Sequence, residues 1–515
     1  MPRWFNVAGP CNEADHYMLP VMRRLPRIRR LIERKSYFVL HAPRQVGKTT
    51  ALLALGRELT AAGHYLAVLL SVEVGAAFPN DTDAAELAIL DAWRDAARAR
   101  LPADLQPPPW PDASPGRRIG AALNAWARAA PRPLVLFLDE IDALQGQPLV
   151  SILRQLRDGY PNRPGDFPWS LALVGLRDVR DYKADPSASS SQSASPFNIK
   201  DASLTLRNFT TDEVRELYAQ HTADTGQVFT PEASRRAFEL SGGHPWLVNA
   251  LAKETVEELV EDPSKPITEA DIDAAKEILI RRQDTHLDSL AERLREPRVR
   301  RIIEPILAGE ALPAVPEDDL RYVQDLGLVR AEGGAGLVIA NPIYREVIPR
   351  SLASVAIASL PHIQPTWLGA DGKLDETRLL DAFLAFWRQH GEPLIASAPY
   401  HEVAPHLVLM AFLHRVVNGG GSIEREYAIG SGRMDLLVRY RGHAVAIELK
   451  VWRDHEPDPL AEGLIQLDRY LAGLALDRGW LVVFDRRGAA PRVADRTSST
   501  ETTSPGGRRI TVIRA

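Results

Sequence analysis

The chain has 515 residues, 45% of them apolar and 25% charged, with a net charge of −5. That length exceeds one ordinary hydrophobic core, so roughly two to four domains are expected, and the composition is that of a folded globular protein. The small negative charge excludes a nonspecific polycationic binder. The lone cysteine, Cys11, excludes an intrachain disulfide and a cysteine-rich metal site. No apolar run approaches a membrane span and no apolar leader is visible, so a cytoplasmic protein without membrane contact is the expectation.

Residues 1–30 read as irregular, with prolines at 10, 20 and 26. The run RRLPRIRRLIERKS places Leu25, Ile28, Leu31 and Ile32 at helical spacing before the first strand. Its arginines suit nucleotide, nucleic acid or solvent, and solvent is the simplest reading. Residues 36–50, SYFVLHAPRQVGKTT, are the stretch around which the chain is organised. An apolar strand, Tyr37 to Leu40, runs into Ala42-Pro43-Arg44-Gln45-Val46-Gly47-Lys48-Thr49-Thr50, and an apolar-periodic helix succeeds it. Strand, tight loop, Gly-Lys-Thr and helix form a phosphate cradle: backbone N–H groups and the helix start face the anion. Lys48 is placed to reach the β/γ-phosphates of ATP and the Thr49 hydroxyl to ligate Mg²⁺. Ala42 stands where this pattern begins with glycine. The swap is harmless only if the backbone there avoids the left-handed region.

HYLAVLLSVE (64–73) reads as a buried parallel strand, 81–98 and 117–130 as helices, and the proline-rich 101–116 as an exposed loop. PLVLFLDEID (133–142) ends an apolar strand in Asp139-Glu140, at the carboxyl edge where open α/β sheets bind ligands. Asp139 is predicted to hold Mg²⁺ and Glu140 to polarise the attacking water. After helix 147–159 another buried strand, Trp169 to Val174, exits towards Arg177 and Arg180. Either arginine suits a γ-phosphate contact, on its own nucleotide or a neighbour's; a surface salt link with Asp178 or Asp181 is the plain alternative. DPSASSSQSAS (185–195) reads as a mobile loop and Ser203 to Leu206 as a strand.

From 210 to 295 the pattern is helical, with starts at Thr210 and at Thr230-Pro231. Gly242-Gly243-His244-Pro245 makes a sharp turn into a helix. Residues 297–350 read as helix, helix and hairpin, with strands near 327–331 and 336–340. Such a unit binds DNA or docks a protein partner, and the balanced charge of helix 316–326 favours docking.

Residues 351–375 read as a linker. A new unit starts near 376 with an amphipathic helix and a more buried one, 401–417, carrying Glu402. Next come strands 422–429, 432–440 and 443–452, with Asp435 inside the second and Glu448 and Lys450 on one face of the third. Two carboxylates and an ammonium on central strands are costly unless they pair or bind metal. Asp435 and Glu448 are candidate Mg²⁺ ligands, Glu402 a third carboxylate, and Lys450 the group that orients water or steadies a phosphate. That is the set metal-dependent phosphodiester hydrolysis needs; a structural ion network is the alternative. Gln466 and Tyr470 share a face of helix 463–479 and are candidates to line the cleft. GWLVVFD and RRITVIR read as strands, and RTSSTETTSPGG between them as a loop.

Residues 36–350, through APRQVGKTT, LVLFLDEID, ALVGLRDVRDYK, GGHPW and DLRYVQDLGLV…NPIYREVIPR, resemble the AAA-like ATPases near the STAND group. Residues 376–515, through GRMDLLV, IELK and QLDRY, resemble the PD-(D/E)XK nuclease superfamily, with Met434 where a proline is usual. The second resemblance implies catalysis by Asp435, Glu448 and Lys450, assistance from a helix glutamate and an accessory role for Gln466. The expected fold is α/β. It comprises a P-loop ATPase core at 1–208, a helical lid at 209–296 and a winged-helix-like segment at 297–350. Linker 351–375 then leads to a restriction-endonuclease-like domain at 376–515. The expected activity is nucleotide-controlled cleavage or binding of DNA or RNA, with homo-oligomerisation a further possibility of this class. The alternative is a regulatory ATP switch whose nuclease-like domain only recognises a partner.

Overall fold

The computed structural model describes residues 3–176, 197–282, 293–308, 312, 314–332, 336–348, 366–368, 373–397, 404–417, 421–429 and 432–515; at Asp435 it describes the backbone alone. Arg177, Arg180, the serine-rich 185–195, Glu402 and positions 351–365 of the expected linker lie outside the described residues. The chain divides into two compact units, 1–283 with 316–342, and 284–315 with 343–515.

The first unit is built on five parallel strands: β1 (Tyr37–His41), β2 (Leu66–Ser71), β3 (Leu134–Asp139), β4 (Ser170–Gly175) and β5 (Ala202–Thr205), in the order β2-β3-β4-β1-β5. Helices α1 (Ile28–Glu33) and α2 (Lys48–Ala61) cover one face, burying Leu52, Leu55 and Leu59 on Phe38, Leu40 and Phe137. On the other face lie α3 (Thr82–Arg100), α4 (Arg118–Ala129) and α5 (Gly146–Gly159), whose Trp93, Trp126 and Leu153 pack on Tyr37, Val68 and Leu136. Burial on both faces explains the unbroken apolar strands. The loop 101–116 is not simply exposed as its prolines suggest. Leu101 and Leu105 enter the core, and Trp110 packs on it while its Nε1–H donates to the Leu90 carbonyl at 3.0 Å.

Helices α6 (Thr211–Thr225), α7 (Pro231–Ser241), α8 (Pro245–Glu254) and α9 (Glu269–Arg282) come next. Thr210 and Glu213 form a reciprocal capping box, and Thr230 caps α7 with Pro231 in its first turn. Residues 3–19 run as a strap against these helices: Phe5 and Tyr17 join Tyr218, His221 and Phe229 in one aromatic cluster. Arg3 pairs with Asp224 at 3.0 Å, and the Trp246 indole donates to the Val7 carbonyl at 2.8 Å.

Helix α10 (Pro297–Ala308) is assigned to the second unit. Helix α11 (Glu317–Asp325) and the hairpin β6 (Val329–Glu332)–β7 (Gly336–Ile339) belong to the first. The second unit contains α12 (Glu376–Ser397), α13 (Ala404–Val417) and a six-stranded mixed sheet. Its strands are β8 (Gly421–Ile429), β9 (Gly432–Tyr440), β10 (His443–Trp452), β11 (Arg478–Asp485), β12 (Ser498–Thr503) and β13 (Arg509–Arg514), in the order β12-β13-β11-β10-β9-β8. One face packs on α12 and α13 through Phe383, Trp387 and Phe412, the other on α14 (Leu460–Leu474) through Leu467 and Leu471.

Four expectations change in this unit. The segment RTSSTETTSPGG is not a loop: it supplies β12, antiparallel to β13. Helix 463–479 begins at Leu460 and stops at Leu474, because Ala475 turns left-handed. Tyr470 does not line a cleft but is buried in the helix–sheet core. Trp367 and Leu374, inside the expected linker, are core residues.

Candidate functional site

Strand β1 delivers the loop Ala42–Gly47 to the carboxyl edge of the first sheet. Ala42 is buried, and its N–H donates to the Gly175 carbonyl at 3.3 Å, prolonging the pairing with β4. It is not among the residues with positive φ. The alanine therefore carries no left-handed strain, and the departure from glycine is accommodated. The left-handed positions are Gln45, with φ 58°, and Gly47, with φ 93°. Gly47 caps α2, and its carbonyl accepts the first helical bond, from Ala51.

Three side chains converge there. Lys48 Nζ donates to the Ala42 and Pro43 carbonyls at 2.8 and 2.9 Å. Thr49 Oγ1 donates to Asp139 Oδ2 at 2.8 Å. Asp139, the last residue of β3 and 4% exposed, also accepts from the Glu140 N–H at 3.0 Å. Glu140 sits at φ 58°, uncommon for a residue with a Cβ. Burial lowers the pKa of the Lys48 ammonium, against the opposing pull of Asp142, Glu140 and Asp139. Burial likewise raises the carboxyls of Asp139 and Glu140, which also repel each other. Asp142 accepts from the Leu176 N–H at 2.9 Å, tying the exits of β3 and β4 together.

Other elements close on this loop. Cys11 of the strap donates its N–H to Thr50 Oγ1 at 3.0 Å. His244, 4% exposed at the start of α8, donates from Nε2 to the Arg44 carbonyl at 3.2 Å, and burial lowers its pKa to about 4. Asp325 of α11 pairs with His41 at 3.5 Å, and Gly327 is packed on Pro43 so tightly that a Cβ there would lie 2.6 Å from its Cγ. Arg24 corrects the solvent reading of the N-terminal arginines. It is buried, donating from Nη2 to the Val46 carbonyl at 2.9 Å and from Nε to the Arg207 carbonyl at 2.8 Å. Burial lowers its pKa to about 10. Nothing in RRLPRIRRL distinguishes Arg24 from its neighbours, so sequence reasoning missed it.

In the second unit Glu448, 3% exposed, lies 3.5 Å from Lys450 Nζ on one face of β10. Lys450 also donates to Gln466 Oε1 at 2.5 Å and lies 3.5 Å from Glu462, which accepts from Gln466 Nε2 at 2.9 Å. Sequence reasoning missed Glu462, although it stands four residues before Gln466 on α14, the spacing that puts two side chains together. The β9–β10 register runs from Tyr440 opposite His443 to Leu436 opposite Ile447. Asp435 and Glu448 are the next residue on each strand. Among the described residues no group of three or more His, Cys, Asp or Glu side chains is placed to hold a metal.

A five-stranded parallel sheet, a Gly-Lys-Thr loop running into a helix and an aspartate at the end of the neighbouring apolar strand make the first unit's core P-loop NTPase-like. Among the described residues no helix is long and apolar enough to cross a membrane. No family model and no curated protein matches the chain. Solved structures do. A Walker-type ATPase of Pyrococcus abyssi is similar at 15% identity and TM-score 0.46, over 67% of this chain and 99% of its own. The RuvB Holliday junction branch migration motor of Thermotoga maritima is similar at 15% identity and TM-score 0.35, over 63% of this chain and 92% of its own. Cdc6p of Pyrobaculum aerophilum is similar at 13% identity and TM-score 0.36, over 67% and 96%.

Proposed function

We propose that this chain binds and hydrolyses ATP and that its nucleotide state controls a C-terminal, metal-dependent phosphodiesterase acting on DNA or RNA. The observation that carries the reading is the convergence of Lys48, Thr49 and Asp139, with a 2.8 Å Thr49–Asp139 hydrogen bond beside a half-buried ammonium. A hydroxyl and a carboxylate in contact are a hard-oxygen donor pair that fits Mg²⁺. Residues 42–50 would cradle the triphosphate, with Lys48 exchanging the Ala42 and Pro43 carbonyls for phosphate oxygens. Bound Mg²⁺ would neutralise phosphate charge. Glu140, whose raised carboxyl makes its anion a stronger base, would take the proton of the attacking water. Arg177 is proposed to meet the γ-phosphate. The α8 start at His244, seated on Arg44, is a route by which the helical lid at 209–296 would sense the nucleotide.

The reading of 376–515 as a PD-(D/E)XK-like nuclease rests on Glu448 and Lys450 sharing a strand face, with Asp435 next in register. A buried carboxylate beside a lysine fits a metal-assisted site, with Asp435 and Glu448 as ligands and Glu402 as an assisting carboxylate. Lys450 would hold the water or the phosphate. The winged-helix-like segment at 297–350 is proposed as a protein-docking module.

A second reading is favoured by one observation: Lys450 is engaged by Glu448, Glu462 and Gln466 together, a closed network that also suits a purely structural role. The chain is then an ATP switch with a non-catalytic recognition domain. Cleavage of DNA and RNA panels with Mg²⁺ or Mn²⁺, with and without ATP, decides between them. Loss in Lys450→Ala, and ATP dependence that vanishes in Lys48→Ala, supports the nuclease. Intact ATP binding with no cleavage under any condition supports the switch.

A further inference from the structure

Strand β10 does not end its functional face at Lys450. Side chains alternate along a strand, so Glu448, Lys450 and Trp452 point to the same side, and Trp452 lies about 7 Å beyond Lys450. The register sets Lys450 beside Val483 and Trp452 beside Asp485 of β11. Two arginines flank the Trp452 ring. Arg487 Cζ is 3.5 Å from its centroid and Arg514 Cζ 5.3 Å, both within cation–π reach. Each is oriented by a carboxylate. Asp485 takes Nε and Nη2 of Arg487 at 2.9 and 2.7 Å, and Asp458 takes Nη2 of Arg514 at 2.6 Å. The indole N–H is fixed to the Glu456 carbonyl at 3.1 Å. The arginine side chains remain 35% and 27% exposed.

We infer that Trp452, Arg487 and Arg514 form a contact site for one nucleic-acid strand, continuing the row begun by Glu448 and Lys450; this rests on the nuclease reading above. An oriented guanidinium matches phosphate oxygens, and the Arg487 guanidinium, held flat on the indole, offers its outer plane to an unpaired base. Aromatic–arginine platforms of this kind hold single strands with little regard to sequence. The paired aspartates fix the direction of the guanidinium groups and moderate their charge, so the site positions a strand delivered to it rather than attracting nucleic acid from a distance. DNA and RNA share this chemistry.

The test is binding of labelled single-stranded DNA, single-stranded RNA and duplex DNA to the full chain by fluorescence anisotropy, with EDTA present so that nothing is cut. Trp452→Leu is expected to weaken single-strand binding about tenfold, leaving the salt dependence unchanged, and Trp452→Phe to recover most of it. Arg487→Gln is expected to weaken binding and lower the slope of log affinity against log salt by about 1. Thermal unfolding of each variant reports whether it is folded. Folded variants that bind as wild type does, with an unaltered slope, overturn the inference and leave the nuclease reading standing. Wild-type protein that binds none of the three probes and cleaves nothing overturns both. A preference for duplex over single strands that survives Trp452→Leu overturns the stacking role.

Discussion

His244 and Arg44 lie 200 positions apart, yet the imidazole of one donates to the carbonyl of the other at 3.2 Å. The first turn of α8 thus rests on the loop proposed to hold phosphate. Burial lowers the pKa of His244 to about 4, so it is neutral in the folded protein at pH 7. A depressed histidine binds its proton more readily unfolded than folded, so its effect appears as pH falls. It is nil above the unfolded value of about 6.5 and grows down to pH 4, reaching on the order of 3 kcal/mol. Melting temperatures from pH 7 to 4 should fall more steeply in wild type than in His244→Gln. Parallel curves would show that the ring is not the titrating group.

Lys48→Ala and Glu140→Gln should separate binding from turnover. Loss of the ammonium should weaken ATP affinity roughly 10- to 100-fold, the worth of a charge-assisted hydrogen bond. Glu140→Gln should keep affinity and slow hydrolysis about 10²-fold or more. Calorimetric titration and phosphate release on both variants measure this, and a hydrolysing Glu140→Gln protein would remove that residue from the base role.

Arg24→Met keeps the length of the side chain and leaves the carbonyls of Val46 and Arg207 without this donor. A cost of about 1–3 kcal/mol is expected. Because one of those carbonyls belongs to the loop, nucleotide affinity should fall as well, which a change at an exposed arginine such as Arg29 would not produce. Titration of the two variants side by side checks it.

Gly243 has φ +70°, and a Cβ there would lie 2.1 Å from the Phe209 carbonyl oxygen. Backbone cannot yield as a flexible side chain would. Gly243→Ala should therefore unseat the α7–α8 turn at a cost of about 3 kcal/mol or more and should abolish ATP binding with it. Limited proteolysis would detect the loosened helices, and a protease-resistant, ATP-binding variant would refute the expectation.

Much of this architecture is readable from short-range signals. The strand–loop–helix at 36–61, the capping residues Thr210 and Thr230, and the shared face of Glu448 and Lys450 all depend on neighbours within a few positions. Long-range partners carry no such mark: Arg24 looks like the arginines around it, and Cys11 gives no hint of Thr50. Strand β12 is almost wholly exposed, so Ser498–Thr503 has no apolar alternation and reads as a loop. At the end of α14 the apolar pattern continues through Leu476, and only the left-handed turn at Ala475 stops the helix.

Lys450→Met should abolish any cleavage and also destabilise the second unit, because it leaves the buried Glu448 without its ammonium. Breaking such a pair by removing one partner costs about 3–5 kcal/mol. If Glu448 is a metal ligand, millimolar Mn²⁺ should restore part of the lost thermal stability in this variant and none in Lys450→Met combined with Glu448→Leu. Equal responses would argue against metal at this carboxylate.

The strap has a bearing on the order in which this protein folds. Residues 3–19 leave the ribosome long before the groups they dock against: Arg3 waits for Asp224, Val7 for Trp246 and Phe5 for Phe229. Contacts of such sequence separation form late, since the loop they close must first be ordered. The strap is thus made early and seated late, and α2, which it touches at Thr50, is assembled before its cover arrives. A nascent chain whose residues beyond 217 are still held inside the ribosome should carry a formed sheet and an unlatched strap, open to protease at residues that the finished protein protects.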